Sequence, residues 1–204
     1  MKMLYARPSP FVRKVMAVLE EAGTASSVEL VDGFGSPVDP NPAVTDNNPL
    51  GKIPCLILDD GTKIYDSRVI CRYFDEQHNL GLYPTDARKW ATLTLEAHCD
   101  GMLDAGVLTV YEIRCRDESE RSEAWREGQR QKIARGLDLL ESQWLDHLNG
   151  PLDIGQIGAA CVLGYLDFRS EMGGWPDWRE GRPGLTAWGE AFLQRASMQA
   201  TTPE

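Results

Sequence analysis

The pattern of hydrophobic residues changes near residue 80, from a mixture of strand-like and helical periods to a helical period alone. Before it, short apolar or alternating runs predict β-strands, and stretches with a repeat of three to four residues predict helices. In order these are a strand, a helix, a strand, an irregular segment, a hairpin and a helix. Their positions are Met3 to Ala6, residues 10–22, Ser27 to Val31, Gly33 to Asn48, residues 55–65 and Ser67 to His78. This order predicts a compact α/β sheet of about 80 residues.

Capping signals support the two helices of this first part. Ser9 is a favourable N-cap, Pro10 suits the first helical position, and Gly23 follows the end of the helix. Ser67 occupies the corresponding place before the second helix, so we expect it to be that helix's N-cap.

After a linker at Asn79 to Pro84, the pattern is helical throughout. Long helices are predicted over residues 86–115 and 122–148, and the last helix over Gly184 to Ala196. Between them, Asp153 and Gln156 have the spacing of a capping box that opens a third long helix. The sequence therefore predicts two domains, an α/β domain over residues 1–80 and an all-helical domain over residues 86–204.

Composition narrows the classes of function. The chain has 204 residues and a formal charge of −10, which makes nucleic acid and anionic membrane surfaces unsuitable partners. No apolar run approaches the roughly 18 residues of a membrane span, and the first residues do not form a secretory signal. The five cysteines lack CxxC spacing and the three histidines are isolated, so we expect no disulfide framework, no metal site and a cytoplasmic location.

The stretch NPLGKIPCLILDDGTKIYDS, residues 48–67, contains the candidate binding groups. Pro54 stands at a strand entrance, and a cis bond before it would turn the backbone N–H and C=O of Ile53 outward to pair with an extended peptide. Local sequence alone favours a trans bond, because only about 5–6% of X–Pro bonds are cis. At the helix start, free N–H groups around Ser67 suit a carboxylate and Asp66 suits an ammonium group. Glutathione carries both charges at its γ-glutamyl end and has a peptide body.

Three segments in the expected order resemble the cytosolic glutathione S-transferases. They are SPFVRKVMAVLEEAG, the stretch NPLGKIPCLILDDGTKIYDS and GYLDFR, and DGMLDAG is similar to a bacterial branch of that family. The resemblance covers essentially the whole chain. It implies a thioredoxin-like N-terminal domain followed by an all-helical C-terminal domain.

The resemblance also implies roles for individual residues. The Ile53–Pro54 bond is expected to be cis, with Ile53 pairing with the cysteinyl part of glutathione. Lys52 would either reach the glycine carboxylate or stay solvated. The family usually has Glu or Gln where this chain has Asp66, so the contact with the ammonium group is expected to be weaker or relayed by water.

Ser9 occupies the place where the family has a Tyr, Ser or Cys near the glutathione sulfur. A serine cannot form a mixed disulfide, but its hydroxyl can donate a hydrogen bond to a thiolate at a helix N-terminus. The sequence leaves open whether Ser9, Tyr5 or backbone N–H groups activate the thiol. Arg13, one turn further on, would either add positive field there or pair on the surface.

The expected function is thiol activation of glutathione, as co-substrate, for attack on a small electrophile, with no metal. Two alternatives stay open: a non-catalytic glutathione-binding chaperone or regulator, and another glutathione-dependent reaction such as dehalogenation, isomerisation or peroxide reduction. The resemblance further implies a homodimer. Asp100 and Asp104 stand where some relatives reach the partner's glutathione amine, although a structural or solvated role suits at least one of them.

Overall fold

The first part of the chain forms a four-stranded sheet covered by helices. The computed structural model describes residues 1–203, so Glu204, the last residue of the predicted helical domain, lies outside the described residues. The elements are β1 (Lys2–Tyr5), α1 (Pro10–Glu21), β2 (Glu29–Asp32), α2 (Pro42–Thr45), β3 (Cys55–Ile57), β4 (Lys63–Ile64) and α3 (Ser67–His78). Their order confirms the predicted one, and α2 supplies a single helical turn inside the segment predicted to be irregular.

The strand order in the sheet is β2-β1-β3-β4. β1 pairs in parallel with β2, with Met3 opposite Leu30, as a strand–helix–strand unit requires. β3 runs antiparallel to both β1 and β4, so the hairpin completes the sheet. α1 packs against α3 beside this sheet, which brings the first turns of the two helices into one domain.

The second part of the chain is helical. Its elements are α4 (Lys89–Arg114), α5 (Glu123–Gln143), α6 (Leu145–Leu148), α7 (Ile154–Phe168), α8 (Ser170–Gly173), α9 (Pro183–Phe192) and α10 (Ala196–Ala200). The single helix predicted over 122–148 was wrong, because Trp144 ends α5 in a conformation with ψ near −2° and α6 starts anew. The short helices α8 and α10 were not predicted, since segments of four or five residues carry too little periodicity.

Caps fix where the site-bearing helices begin. The side chain of Ser9 accepts a hydrogen bond from the N–H of Val12 at 3.4 Å, and Pro10 is the first residue of α1, as predicted. For α3 the prediction was wrong by one residue. Asp66, not Ser67, is the N-cap, and its carboxylate accepts the N–H of Arg68 at 3.0 Å. Ser67 is consequently the first residue of the helix itself.

α7 is the central helix of the helical part and is buried along most of its length. Asp153 caps it, and the predicted capping box is present, with the N–H of Asp153 donating to Gln156 Oε1 at 2.9 Å. Gly155 lets α7 approach α4 closely, because a Cβ there would lie 2.8 Å from Leu95 Cδ2. α7 also packs against α1, and so links the helical domain to the helix that starts at Ser9.

A buried lysine joins α1 to α4. Lys14 is fully buried, and its Nζ lies 2.7 Å from Asp100 Oδ1 and 3.2 Å from Glu96 Oε1. Tyr83, in the linker between α3 and α4, donates its hydroxyl to Glu96 at 2.8 Å. An unpaired ammonium group would be very costly at this depth, so the two acids are required where Lys14 is buried.

The proton equilibria of this cluster follow from burial and pairing. Burial by itself lowers the pKa of Lys14, but Asp100 and the other groups around it outweigh that effect and hold the pKa above its usual value. Burial raises the pKa of Glu96, against the opposing effect of Lys14. Lys14 is therefore charged throughout the physiological pH range.

We predict that Lys14→Met lowers the free energy of unfolding by about 3–5 kcal/mol, because Glu96 and Asp100 lose their shared cation while staying buried. Urea unfolding measures the loss. The matched control is Lys2→Met, since Lys2 forms an exposed pair with Glu29 at 3.4 Å and its removal is expected to cost about 0–1 kcal/mol. Equal losses in the two variants would contradict the structural role of Lys14.

A triple variant separates the cost of the unpaired acids from the cost of lost packing. In the variant Lys14→Met/Glu96→Gln/Asp100→Asn, no carboxylate is left without a cation, so most of the stability is expected to return.

Candidate functional site

The N-terminus of α1 presents the hydroxyl of Ser9 at a partly exposed position. The N–H of Ser9 donates to Ala6 at 3.0 Å, which closes the turn between β1 and α1. Because the Ser9 oxygen accepts from Val12, its own O–H proton is available to another acceptor. The site therefore combines a hydroxyl donor with the positive end of a twelve-residue helix.

The other two residues predicted near Ser9, Tyr5 and Arg13, are both at least partly buried. Tyr5, the last residue of β1, is partly buried and packs against the main core. Arg13 is 6% exposed, and its Nη2 donates to the carbonyl of Met198 at 3.1 Å. Its guanidinium lies against Gly164 of α7, and burial lowers its pKa. Of the two roles left open for Arg13, pairing on the surface is wrong, because the side chain turns inward between α1, α7 and α10.

The segment before β3 offers an unused peptide edge. The Ile53–Pro54 bond is cis, as the family resemblance implied. Asn48 is buried and donates its side-chain N–H to the carbonyl of Lys52 at 2.8 Å, which holds the loop in place. Within residues 1–203, neither the N–H nor the C=O of Ile53 has a hydrogen-bond partner. The side chain of Lys52 is exposed at the same edge.

The start of α3 offers hydrogen-bond donors close to an acid. The N–H groups of Ser67 and Val69 have no acceptor among the described residues, and Ser67 is buried. Asp66 is already held by Arg68, whose Nη2 lies 2.7 Å from Oδ2. Burial raises the pKa of Asp66, but the hydrogen bonds from Arg68 outweigh this and bring it below the usual value. Asp66 is therefore ionised and shared with a cation that sequence reasoning did not identify.

The two predicted cross-subunit acids lie in different environments. Asp100 is buried, and both of its carboxylate oxygens accept hydrogen bonds from Lys14 Nζ of the same chain, at 2.7 and 2.8 Å. Its Oδ2 also lies 3.7 Å from Arg68 Nε. Asp104, one turn further along α4, is exposed. Partial burial raises the pKa of Asp104, while Lys52 acts to lower it, so Asp104 belongs to the same charge cluster.

Two further properties bear on the chemistry of the site. Residues 1–203 contain no group of three or more His, Cys, Asp or Glu side chains positioned to hold a metal ion. None of the helices in that part of the chain has the length and apolar character needed to cross a membrane.

Two family models match the chain in the order of its two parts. The model of the glutathione S-transferase N-terminal domain matches residues 8–77, and the model of the C-terminal domain matches residues 123–191. The chain belongs to the glutathione S-transferase family. The fold accordingly consists of a thioredoxin-like N-terminal domain followed by an all-helical C-terminal domain.

Individual relatives match this chain over essentially its full length. The chain is 33% identical to the uncharacterized GST-like protein YibF of Escherichia coli (strain K12), covering 100% of this chain and 98% of the relative. A glutathione transferase family member from Pseudomonas fluorescens Pf-5, solved with bound glutathione, is 45% identical with a TM-score of 0.94, over 100% and 98% of the two chains. A second structure from that source, with bound S-(propanoic acid)-glutathione, has 44% identity, a TM-score of 0.89 and full coverage of both chains.

Sequence reasoning missed Lys14 and Arg68. Arg68 follows the predicted pair Asp66-Ser67 directly, and its charge, opposite to that of Asp66, was a usable signal. No such signal exists for Lys14, because its acidic partners are 82 and 86 residues away in the sequence.

Proposed function

We propose that this protein binds glutathione between the Ile53 edge and the start of α3 and activates its thiol at Ser9 for attack on a small electrophile. The observation that carries the proposal is the free O–H of Ser9 at the N-terminus of α1. The similarity of this chain to a protein solved with glutathione and with a sulfur conjugate of glutathione supports the choice of ligand. The function is that of a glutathione transferase in detoxification.

The proposed contacts divide the ligand into three parts. Ile53 pairs with the cysteinyl backbone through its N–H and C=O, next to Pro54. Ser67 and the first N–H groups of α3 hold the γ-glutamyl carboxylate, and Asp66 takes the ammonium group. Lys52 reaches the glycine carboxylate.

The energy needed at the sulfur is within the reach of this arrangement. A reference thiol titrates near 8.5, and lowering that pKa by ~2 units requires about 2.7 kcal/mol of thiolate stabilisation. A hydroxyl donating to a charged acceptor supplies ~1.5–3 kcal/mol, and the helix dipole adds ~0.3–1 kcal/mol. Ser9 and the start of α1 are together sufficient.

The wider organisation is proposed on the same basis. We place the domain boundary between residues 80 and 86, and the protein in the cytoplasm as a homodimer. The exposed side chains of Val69 on α3 and Trp90 on α4 are candidates for the contact between subunits. Asp104 is the acid retained for a contact with the partner's glutathione amine, since Lys14 occupies Asp100.

We expect Ser9→Ala to raise the pKa of enzyme-bound glutathione and to slow conjugation at neutral pH. The loss shrinks as the pH approaches ~9, because solution chemistry then supplies the thiolate. The ultraviolet absorbance of the bound thiolate against pH measures the effect directly. Ser9→Thr retains both cap and hydroxyl and serves as the control, while Ser9→Cys gains thiol transfer at the expense of conjugation. Superimposable titrations of wild type and Ser9→Ala would assign the activation to Tyr5 or to backbone N–H groups.

Ser67→Ala is expected to weaken glutathione binding roughly tenfold to more than a hundredfold, through loss of one charge-assisted hydrogen bond of about 1.5–3 kcal/mol. Asp66→Asn is expected to cost less, because Arg68 already shares that carboxylate. Calorimetry with glutathione measures both. Ser142→Ala on α5, where the hydroxyl donates only to Asp138, is the matched control. Unchanged affinity in Ser67→Ala would mean that the site is misplaced.

Sedimentation at micromolar concentration is expected to show a dimer for the wild type. Val69→Asp places a charge on the proposed contact and should shift the protein to monomer, whereas Trp125→Ser, at an equally exposed position on α5, should not. A wild-type monomer would exclude the cross-subunit role of Asp104 as well.

A further inference from the structure

Two neighbouring cations on α1, Arg13 and Lys14, are buried at the junction between the domains. Lys14 is neutralised by two carboxylates of α4. Arg13 differs, because its guanidinium forms no ion pair within residues 1–203 and donates one hydrogen bond, from Nη2 to the carbonyl of Met198 at 3.1 Å. Its Nε and Nη1 are buried and have no acceptor in that part of the chain. The helix that begins after Ser9 therefore carries one positive charge without a counter-ion.

Arg13 lies one turn after Ser9. The N–H of Arg13 donates to the carbonyl of Ser9 at 3.0 Å, and residues four positions apart share one face of a helix. Helical side chains lean toward the N-terminus, so that of Arg13 covers the turn that Ser9 caps. α7 holds it there from the other side, because a Cβ at Gly164 would lie 3.1 Å from Arg13 Cζ. The charge is thus fixed beside the start of α1.

Among the described residues, the helices packed against Arg13 bring no acid to it. α10 contributes the carbonyl of Met198 and has no titratable side chain. On α7 the facing group is the thiol of Cys161, which is neutral because burial raises its pKa to about 11, against the opposing effects of Arg13 and Lys14. On α1, Glu21 is two turns further along and is held by Arg195 at 2.9 Å. Burial lowers the pKa of Arg13, but an arginine remains protonated at physiological pH.

The contact with α10 does not account for this charge. A neutral amide side chain could donate to the carbonyl of Met198 equally well, whereas a buried cation without a counter-ion is costly. In the proposed function, a negative charge forms one turn away, when the glutathione thiol ionises at Ser9. Opposite charges attract more strongly at a buried junction than in water, and salt screens them less. The thiolate is therefore the anion that this cation lacks.

We propose that the positive charge of Arg13 stabilises the glutathione thiolate across the first turn of α1, in addition to the hydrogen bond from Ser9. This inference rests on the proposed function. The thiol loses its proton to water and Arg13 keeps its own, so Arg13 is neither the acid nor the base of the reaction. It acts at a distance on the equilibrium between thiol and thiolate.

The variants Arg13→Gln and Arg13→Lys separate the charge from the hydrogen bond. Glutamine can donate to the carbonyl of Met198 without a charge, and lysine retains the charge. We expect Arg13→Gln to raise the pKa of enzyme-bound glutathione by about 0.5 to 1, and Arg13→Lys to raise it by less than half as much. The ultraviolet absorbance of the bound thiolate against pH measures both. The control Arg182→Gln removes a cation that Asp138 already pairs with at 2.6 Å, and should leave that pKa unchanged.

A comparison of two ligands distinguishes the charge from a general loss of structure. Glutathione can ionise at sulfur, whereas S-methylglutathione cannot. At about pH 8, calorimetry on the full chain should show that Arg13→Gln weakens the binding of glutathione about threefold to tenfold, the factor that corresponds to the change in pKa. The affinity for S-methylglutathione should stay the same. Equal weakening of both ligands would overturn the inference.

The background Ser9→Ala tests whether Arg13 acts independently of the hydroxyl. If its charge acts directly on the thiolate, the pKa changes of Ser9→Ala and Arg13→Gln add in the double variant. If Arg13 only positions Ser9, Arg13→Gln changes nothing further in that background, and the inference is wrong. An unchanged pKa in Arg13→Gln alone would also overturn it, while a raised pKa in Ser9→Ala would leave the proposed function standing. A wild-type bound thiol that titrates like free glutathione would exclude both.

The uncharged variants are expected to fold, because no carboxylate of the described chain depends on Arg13 and its removal leaves no buried charge unpaired. Urea unfolding of Arg13→Gln and of a second uncharged variant, Arg13→Met, checks this. Failure of both to fold would assign the cation to folding alone and overturn the inference.

Discussion

The requirement that a buried ammonium group be neutralised determines how the two domains of this protein meet. Lys14 lies on the same helix as Ser9, and its Nζ lies within 3.2 Å of acids from α4. An unpaired charge at that depth would cost several kcal/mol, which is a large part of the stability of a typical domain. α1 and α4 consequently have one favourable alignment, and that alignment fixes the position of Ser9 relative to the helical domain.

The same cluster continues to the second half of the site. Asp100, which holds Lys14, lies 3.7 Å from Arg68, and Arg68 holds the carboxylate that caps α3. Asp66 therefore has two structural roles. Its carboxylate caps the first turn of α3, and it holds the side chain of Arg68 near the junction between the domains. Two ion pairs, Asp100–Arg68 and Arg68–Asp66, thus connect the interface between the domains to the proposed γ-glutamyl contacts.

The parts of this architecture that could be predicted from the sequence are those set by neighbouring residues. Ser9-Pro10 and the capping box of Asp153 depend on contacts within four positions, and the structure has them where the pattern indicated. The N-cap of α3 was misplaced by one residue because Asp and Ser are equally good caps and stand side by side. Lys14 could not be recognised, since a lysine inside an amphipathic helix is usually solvated and only the folded chain brings Glu96 and Asp100 to it.

The charge balance of the site connects its folding to the ligand proposed for it. The cluster contains four carboxylates, those of Asp66, Glu96, Asp100 and Asp104, and its cations are Lys14, Arg68 and Lys52. With every group ionised, one negative charge is in excess, and it falls on the exposed side, where partial burial and the neighbouring acids raise the pKa of Asp104. An ammonium group bound by Asp66, as proposed, would neutralise this excess within the cluster and lower the pKa of Asp104 again. The carboxylate on the same γ-glutamyl carbon would then meet the unbonded N–H groups at the start of α3. Both charges of the ligand end are thus matched by features that the fold needs for its own stability.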